Sequence, residues 1–151
     1  MPPAGRGRPW VSAQARLHRV PVLLRGTHLL IANGQVNQGP ERPFLLEPGG
    51  TGMALSAPAS TIAEAAIALD STRTRTGTSP AGAVGFIVFP IQRLWVGEAF
   101  ADSLEGAYGT FPPRLELNPS FRVAGIVSGG FLSRYRVAVD MSRGEVWLIE
   151  P

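Results

Sequence analysis

A chain of 151 residues, 44% hydrophobic and 17% charged, has room for one domain with a real core. It contains no cysteine, which excludes a disulfide framework, a thiolate metal site and a cysteine nucleophile. Only His18 and His28 could serve a zinc site or a Ser-His-Asp triad.

The net charge of +3 invites a nucleic-acid reading until the charges are located. All 14 basic residues are arginine, and Arg6, Arg8, Arg16, Arg19 and Arg25 fall in the first 25 residues, which carry no acid. Beyond them the 11 acids outnumber the remaining arginines, so the basicity belongs to the leader and not to the domain. Without interleaved aromatics the leader, residues 1–18, reads as a solvated disordered tail, and residues 19–151 as the folded domain; no nucleic-acid partner is expected. No apolar run reaches the roughly 18 residues of a membrane-crossing helix, so no membrane partner is expected either. The leader also lacks the apolar centre of about 7 to 15 residues that marks a secretory signal. The chain as read is cytoplasmic, or exported if its true start lies upstream.

Strand-like runs begin at Val20: VPVLL (20–24) and THLLIA (27–32), then Asn33-Gly34 as a hairpin turn signal followed by QVNQ (35–38). PFLLE (43–47) is the next run and ends at a Gly-rich turn. APASTIAEAAIAL (57–69) has Ser60 or Thr61 placed to cap, Glu64 near the first turn, and Ile62, Ala65, Ala66 and Leu69 at helical spacing; the pattern predicts a helix packed on a sheet. DSTRTRTGTSPAG (70–82) reads as loop, AVGFIVF (83–89) and IQRLWVG (91–97) as two strands, and LEGAYGTFPP (104–113) as loop. The last third predicts a short helix near Gly130 to Tyr135 and strands RVAVDM and EVWLIE joined at Ser142-Arg143-Gly144. Short strands between tight turns make the domain mainly β.

Two stretches, FLLEPGGTG and AGIVSGGFLSRYRVAVDMSRGEVWL (124–148), together with LLIANGQVNQGPERPFLL before the first, resemble the retropepsin-like aspartyl peptidases, the bacterial single-domain relatives of pepsin. In that family a strand ends in an Asp-Thr/Ser-Gly-Ala-Ser loop, and a later hydrophobic-hydrophobic-Gly element leads into a helix. The resemblance runs from about Pro21 to Ile149. It implies a closed β-barrel or sheet with one or two short helices, a homodimer that builds one site from two loops, an extended peptide or unfolded protein as substrate, and neither metal nor cofactor. The EVWLIE strand is then expected in the interface between copies. Paired carboxylates would share a proton, one acting as base towards water and the other as acid towards the peptide carbonyl.

The centre of the motif departs from this pattern. The Asp position is Glu47, the Thr/Ser position is Pro48, the Gly is kept as Gly49, and Gly50 and Thr51 stand for Ala-Ser. In the second element, Gly125, Ile126 and Val127 are followed by Ser128 where the family has Gly. Glutamate keeps the charge but moves the carboxylate outward by about 1.5 Å, a misplacement that can cost on the order of 100-fold in rate. Pro48 removes a bracing hydroxyl and a backbone N–H. Asp70, Asp102 and Asp140 are followed by Ser-Thr, Ser-Leu and Met-Ser, so none restores the motif. The resemblance therefore implies a catalytically impaired pseudopeptidase that keeps its peptide groove; the alternative is an active endopeptidase with a Glu47 dyad across the homodimer. RTRTGTSPAGAVGF (73–86) falls where the family has its flap, with Gly77, Gly82 and Gly85 to give it mobility.

Overall fold

The computed structural model describes residues 14–25, 29–50, 52–79, 81–116 and 122–151. The strands are β1 (Leu17–Arg25), β2 (Leu29–Val36), β3 (Arg42–Leu46), β4 (Leu55–Ala57), β5 (Thr74–Ser79), β6 (Gly82–Val96), β7 (Ala99–Tyr108), β8 (Ile126–Val127), β9 (Arg136–Asp140) and β10 (Glu145–Ile149). Among the described residues three short α-helices, not the one or two expected, join them: α1 (Ala59–Glu64), α2 (Pro113–Glu116) and α3 (Gly129–Leu132). The molecule is mainly β, in one mixed sheet ordered β5-β6-β7-β4-β8-β3-β2-β1-β10-β9.

A second pairing of β2, with β6 through Gly34↔Val96, Gln35↔Trp95 and Val36↔Leu94, closes β6-β7-β4-β8-β3-β2 into a ring. Side chains pointing into that ring make the core: Phe44 and Leu46 from β3, Leu55 from β4, Phe89, Ile91 and Leu94 from β6, and Val127 from β8, all buried. Phe131 and Leu148 extend the core under α3 and β10. Each such side chain contributes about 1.5–3 kcal/mol by leaving water.

The long β6 and β7 explain why IQRLWVG alternates poorly. Their register omits the pair Gln92–Ser103, and Ser103 has φ 55°. Across this irregularity the inward face of β6 passes from Phe89 and Ile91 to Leu94 and Val96. The side chain of Asn37 accepts from the N–H groups of Gln92 (2.9 Å) and Arg93 (3.2 Å) at the bend. The two strands expected over 83–97 are thus one, running through Pro90.

Several other expectations are corrected. Asn33-Gly34 is not a turn: both residues lie inside β2, and the chain reverses at Asn37–Gly39, where Gly39 N–H donates to Val36 O. Gly34 is there for closeness, since a Cβ would lie 2.5 Å from the Trp95 carbonyl oxygen and 3.0 Å from the Phe44 ring. The helix expected over 57–69 shrinks to α1, because Ala66 takes φ 51° and ends it. Neither Ser60 nor Thr61 caps it; Pro58 is the N-cap, Ser60 donates to Glu116, and buried Thr61 donates to the Ala124 carbonyl at 2.5 Å. Glu64 sits at the last turn, where it meets Arg42.

The expected loop 70–82 is a 3-10 turn (Ser71–Arg73) followed by β5, and the expected loop 104–113 begins inside β7. β1 starts at Leu17, so Leu17 and His18 belong to the sheet and not to the tail; the rest of the tail up to residue 13 lies outside the described residues. β10 is paired on both edges within the chain, with β1 and with β9, and offers no free edge to a second copy.

Candidate functional site

β3 delivers Glu47 to the surface. Phe44 and Leu46 point into the ring, Leu46 pairing Leu30 on one side and Val127 on the other, so the next residue leaves the sheet at a fixed place. Glu47 N–H still donates to the Val127 carbonyl at 2.9 Å, and the Glu47 carbonyl accepts from Gly50 N–H at 3.1 Å. Pro48 at the second position of this turn suits its fixed φ. The side chains of Glu47 and Pro48 are exposed, and Glu47 makes no ion pair or side-chain hydrogen bond among the described residues.

The second element comes to the same place. β8 lies between β3 and β4, parallel to the first and antiparallel to the second. Leu45 N–H donates to the Gly125 carbonyl (2.9 Å), Ser128 N–H to Ala54 O (3.0 Å), Gly129 N–H to Gly50 O (2.9 Å) and Gly130 N–H to Met53 O (3.2 Å). The Glu47 loop is thus held on its inner side by backbone bonds to the start of α3. Ile126 and Val127 are buried.

Two glycines make this approach possible. A Cβ on Gly125 would lie 2.7 Å from Leu55 Cδ1 and 2.9 Å from the Ser56 carbonyl oxygen, and one on Gly130 would lie 2.6 Å from Gly52 O. Between the loop and the helix there is room for one side chain: a Cβ on Gly50 would lie 3.0 Å from both Cβ and Oγ of Ser128. Thr51 lies outside the described residues.

The stretch 73–86 is a hairpin of β5 and the first part of β6, in register Thr76↔Gly85, Gly77↔Val84 and Ser79↔Gly82. Gly82 has φ 114°, and Gly77 lets the Phe86 ring close in, a Cβ there being 3.1 Å from Cε1; Gly85 has open space around it. At the base, Arg73 (3.0 Å) and Arg75 (3.5 Å) both reach Glu105 of β7.

A cleft of about 490 Å³ opens beside the loop, walled by Pro48, Gly50 and Gly52 on one side and by Leu132, Tyr135 and Val137 on the other. Tyr135 is fixed by donating to the Phe100 carbonyl (2.9 Å), and burial, with the Glu150 charge, raises its hydroxyl above the ordinary tyrosine pKa. A larger cleft of about 680 Å³ lies elsewhere, between Leu23 and Ile31 on one side and Trp95 on the other, and includes none of the candidate site residues.

The aspartates are all engaged away from the loop. Asp70 caps the 3-10 turn through Thr72, Asp102 pairs Arg93, and Asp140 accepts from Ser142 and Arg143 in the turn before β10; each is held below the usual carboxylate range by a hydrogen bond, from Thr72, Arg93 and Ser142 respectively. Among the described residues no group of three His, Cys, Asp or Glu is placed to hold a metal ion. The sequence reading missed Arg75 and Arg134, which border the loop's far end together with Glu105. No spacing rule joins them. No protein-family model matches the chain, and no curated protein matches it either.

Proposed function

We propose that this chain is a retropepsin-like pseudopeptidase, a domain that holds an extended peptide in the groove beside its Glu47 loop without cutting it efficiently. The observation that carries the reading is the interleaving of β8 between β3 and β4, with the Glu47 loop bonded through Gly50 and Met53 to the residues that open α3. Two sequence elements far apart in the chain meet at one exposed carboxylate beside a cleft.

The chemistry follows from what that loop carries. Peptide hydrolysis by carboxylates needs a pair close enough to share a proton, and a single Glu47 per chain can be paired only across a homodimer. The longer side chain displaces each carboxylate, and Pro48 has no hydroxyl with which to brace the two loops. Binding makes fewer demands: an extended peptide needs backbone partners and side-chain clefts, and the β5–β6 hairpin with its free outer edge is the element to close over it. An active Glu47 dyad is the competing reading, favoured by the exposure of Glu47 at the surface.

Cleavage of casein from about pH 3 to 7 by the native chain and by Glu47→Asp/Pro48→Thr separates the two. The pseudopeptidase predicts a silent native chain and activity in the double variant. Acid-dependent cleavage by the native chain, lost in Glu47→Gln, would establish the dyad instead.

A further inference from the structure

We infer that the groove reads charge: the end of it bounded by Arg75 and Arg134 takes an acidic side chain of the bound peptide. The inference rests on the peptide-binding reading and adds the class of peptide to it.

A second cleft of about 320 Å³ lies where the loop, β5, β7 and α3 converge, lined by Gly52, Met53, Arg75, Glu105, Gly130 and Arg134. It shares Gly52 and Gly130 with the apolar cleft walled by Leu132, Tyr135 and Val137. At the junction Gly52 has φ 94° and nothing within 4 Å of the place a Cβ would take, so a ligand's main chain can pass close to the loop. The two clefts are therefore consecutive stations along one groove.

Their chemistry differs. The second holds two guanidinium groups and one carboxylate, and that carboxylate is already taken at 3.0 Å by Arg73 from outside the cleft. Arg75 reaches Glu105 only at 3.5 Å and is more than half exposed. Arg134 is exposed and has no acidic partner among the described residues. Glu47 lines neither cleft. A planar guanidinium with free N–H groups favours a carboxylate, which it can meet with two parallel bonds. Two arginines beside an apolar wall suit one acidic side chain next to an apolar one; a nucleic-acid backbone would call for a longer basic stripe.

The probe is a set of fluorescein-labelled decapeptides of Ser and Thr carrying one Leu and one variable residue, Glu, Gln or Arg, moved through the positions around it. Full-length protein is titrated by fluorescence anisotropy at low and high salt. Glu peptides should bind about 3- to 10-fold more tightly than Gln peptides at one offset, and less so at high salt. Arg134→Gln and Arg75→Gln should each lower that ratio. Arg134→Glu should shift the preference to Arg peptides, a gain that misfolding does not produce. Equal binding of Glu and Gln peptides would overturn the charge reading alone. Failure of every peptide to bind would overturn the peptide-groove reading and this one with it. Displacement of the Glu peptides by a short oligothymidylate at equal concentration would assign the arginines to nucleic acid.

Discussion

A methyl group added at position 50 should destabilise the protein, and removing the hydroxymethyl at position 128 should undo the damage. The Cβ of Gly50→Ala would lie 3.0 Å from Cβ and Oγ of Ser128 and 3.4 Å from the Glu47 carbonyl oxygen. Carbon atoms sit best at about 3.5–4.0 Å, so the loop and α3 would have to part by roughly half an ångström. Ser128 cannot give way by sliding, because its N–H is bonded to Ala54 O and the next N–H to Gly50 O. Overpacking of this kind costs about 1–3 kcal/mol. Gly50 is not among the residues at positive φ, so alanine also stiffens the unfolded chain and returns about 0.4–1 kcal/mol. Gly50→Ala should thus cost about 1–2 kcal/mol in the native background and be neutral or mildly stabilising beside Ser128→Gly. The coupling should be about 1–3 kcal/mol. Urea denaturation of the four proteins, followed by tryptophan fluorescence and circular dichroism, would show Gly50→Ala losing on the order of 1 M in midpoint. Additivity of the two substitutions within about 0.3 kcal/mol would refute the argument that bulk at one position excludes bulk at the other.

Gly130→Ala should be worse and have no single-site rescue, since its Cβ would run into backbone at Gly52 and Met53; a loss of about 3 kcal/mol or more, with loss of peptide binding, is expected from denaturation and anisotropy. Thr61→Val should cost about 1–2 kcal/mol in urea denaturation, because the Ala124 carbonyl that positions the approach to β8 loses its side-chain donor. The Arg42 side chain, bonded to Glu64 at 3.0 and 3.2 Å, holds the Glu64 carboxyl below its ordinary 4.5, with Arg122 assisting. A depressed folded-state pKa adds stability above the unfolded value that is lost as pH falls through the folded one. Denaturation midpoints of the native chain should therefore drop below about pH 4.5 more steeply than those of Glu64→Gln.

The sequence made the strands legible wherever alternation and turn residues agreed: β1, β3, β9 and β10 lie close to where VPVLL, PFLLE, RVAVDM and EVWLIE put them, the last two joined at Ser142-Arg143-Gly144. It misled mainly at glycine. Gly34 and Gly106 read locally as turn signals, yet Gly34 makes room for the Trp95 carbonyl and Gly106 lies under the Phe89 ring, its absent Cβ leaving 2.5 Å to Cε2. A single sequence shows that a glycine is present and not whether it bends the chain or lets two strands touch. The loop 70–82 was hidden for another reason: alternate Thr residues that looked polar and loop-like are β-branched and suit an exposed edge strand. For the site, the two stretches were singled out by a resemblance alone, whereas the Arg75–Arg134 cleft was not singled out at all, because it is assembled by the hairpin and α3 folding to the same end of the loop.

The position of β8 also sets an order of events. β3 and β4 are close in sequence but never bond each other; the gap between them is filled only by Ile126 and Val127. A ribosome delivering this chain from its N-terminus releases most of the strands before the one that fills that gap. Until then β3 and β4 present bare edges, which are templates for wrong partners, and the Glu47 turn has no wall behind it. Pulsed hydrogen exchange during refolding should find the amides of Leu45 and Glu47, whose bonds need Gly125 and Val127, protected after those shared by β6 and β7. In a newborn chain, the wall behind the Glu47 turn comes late.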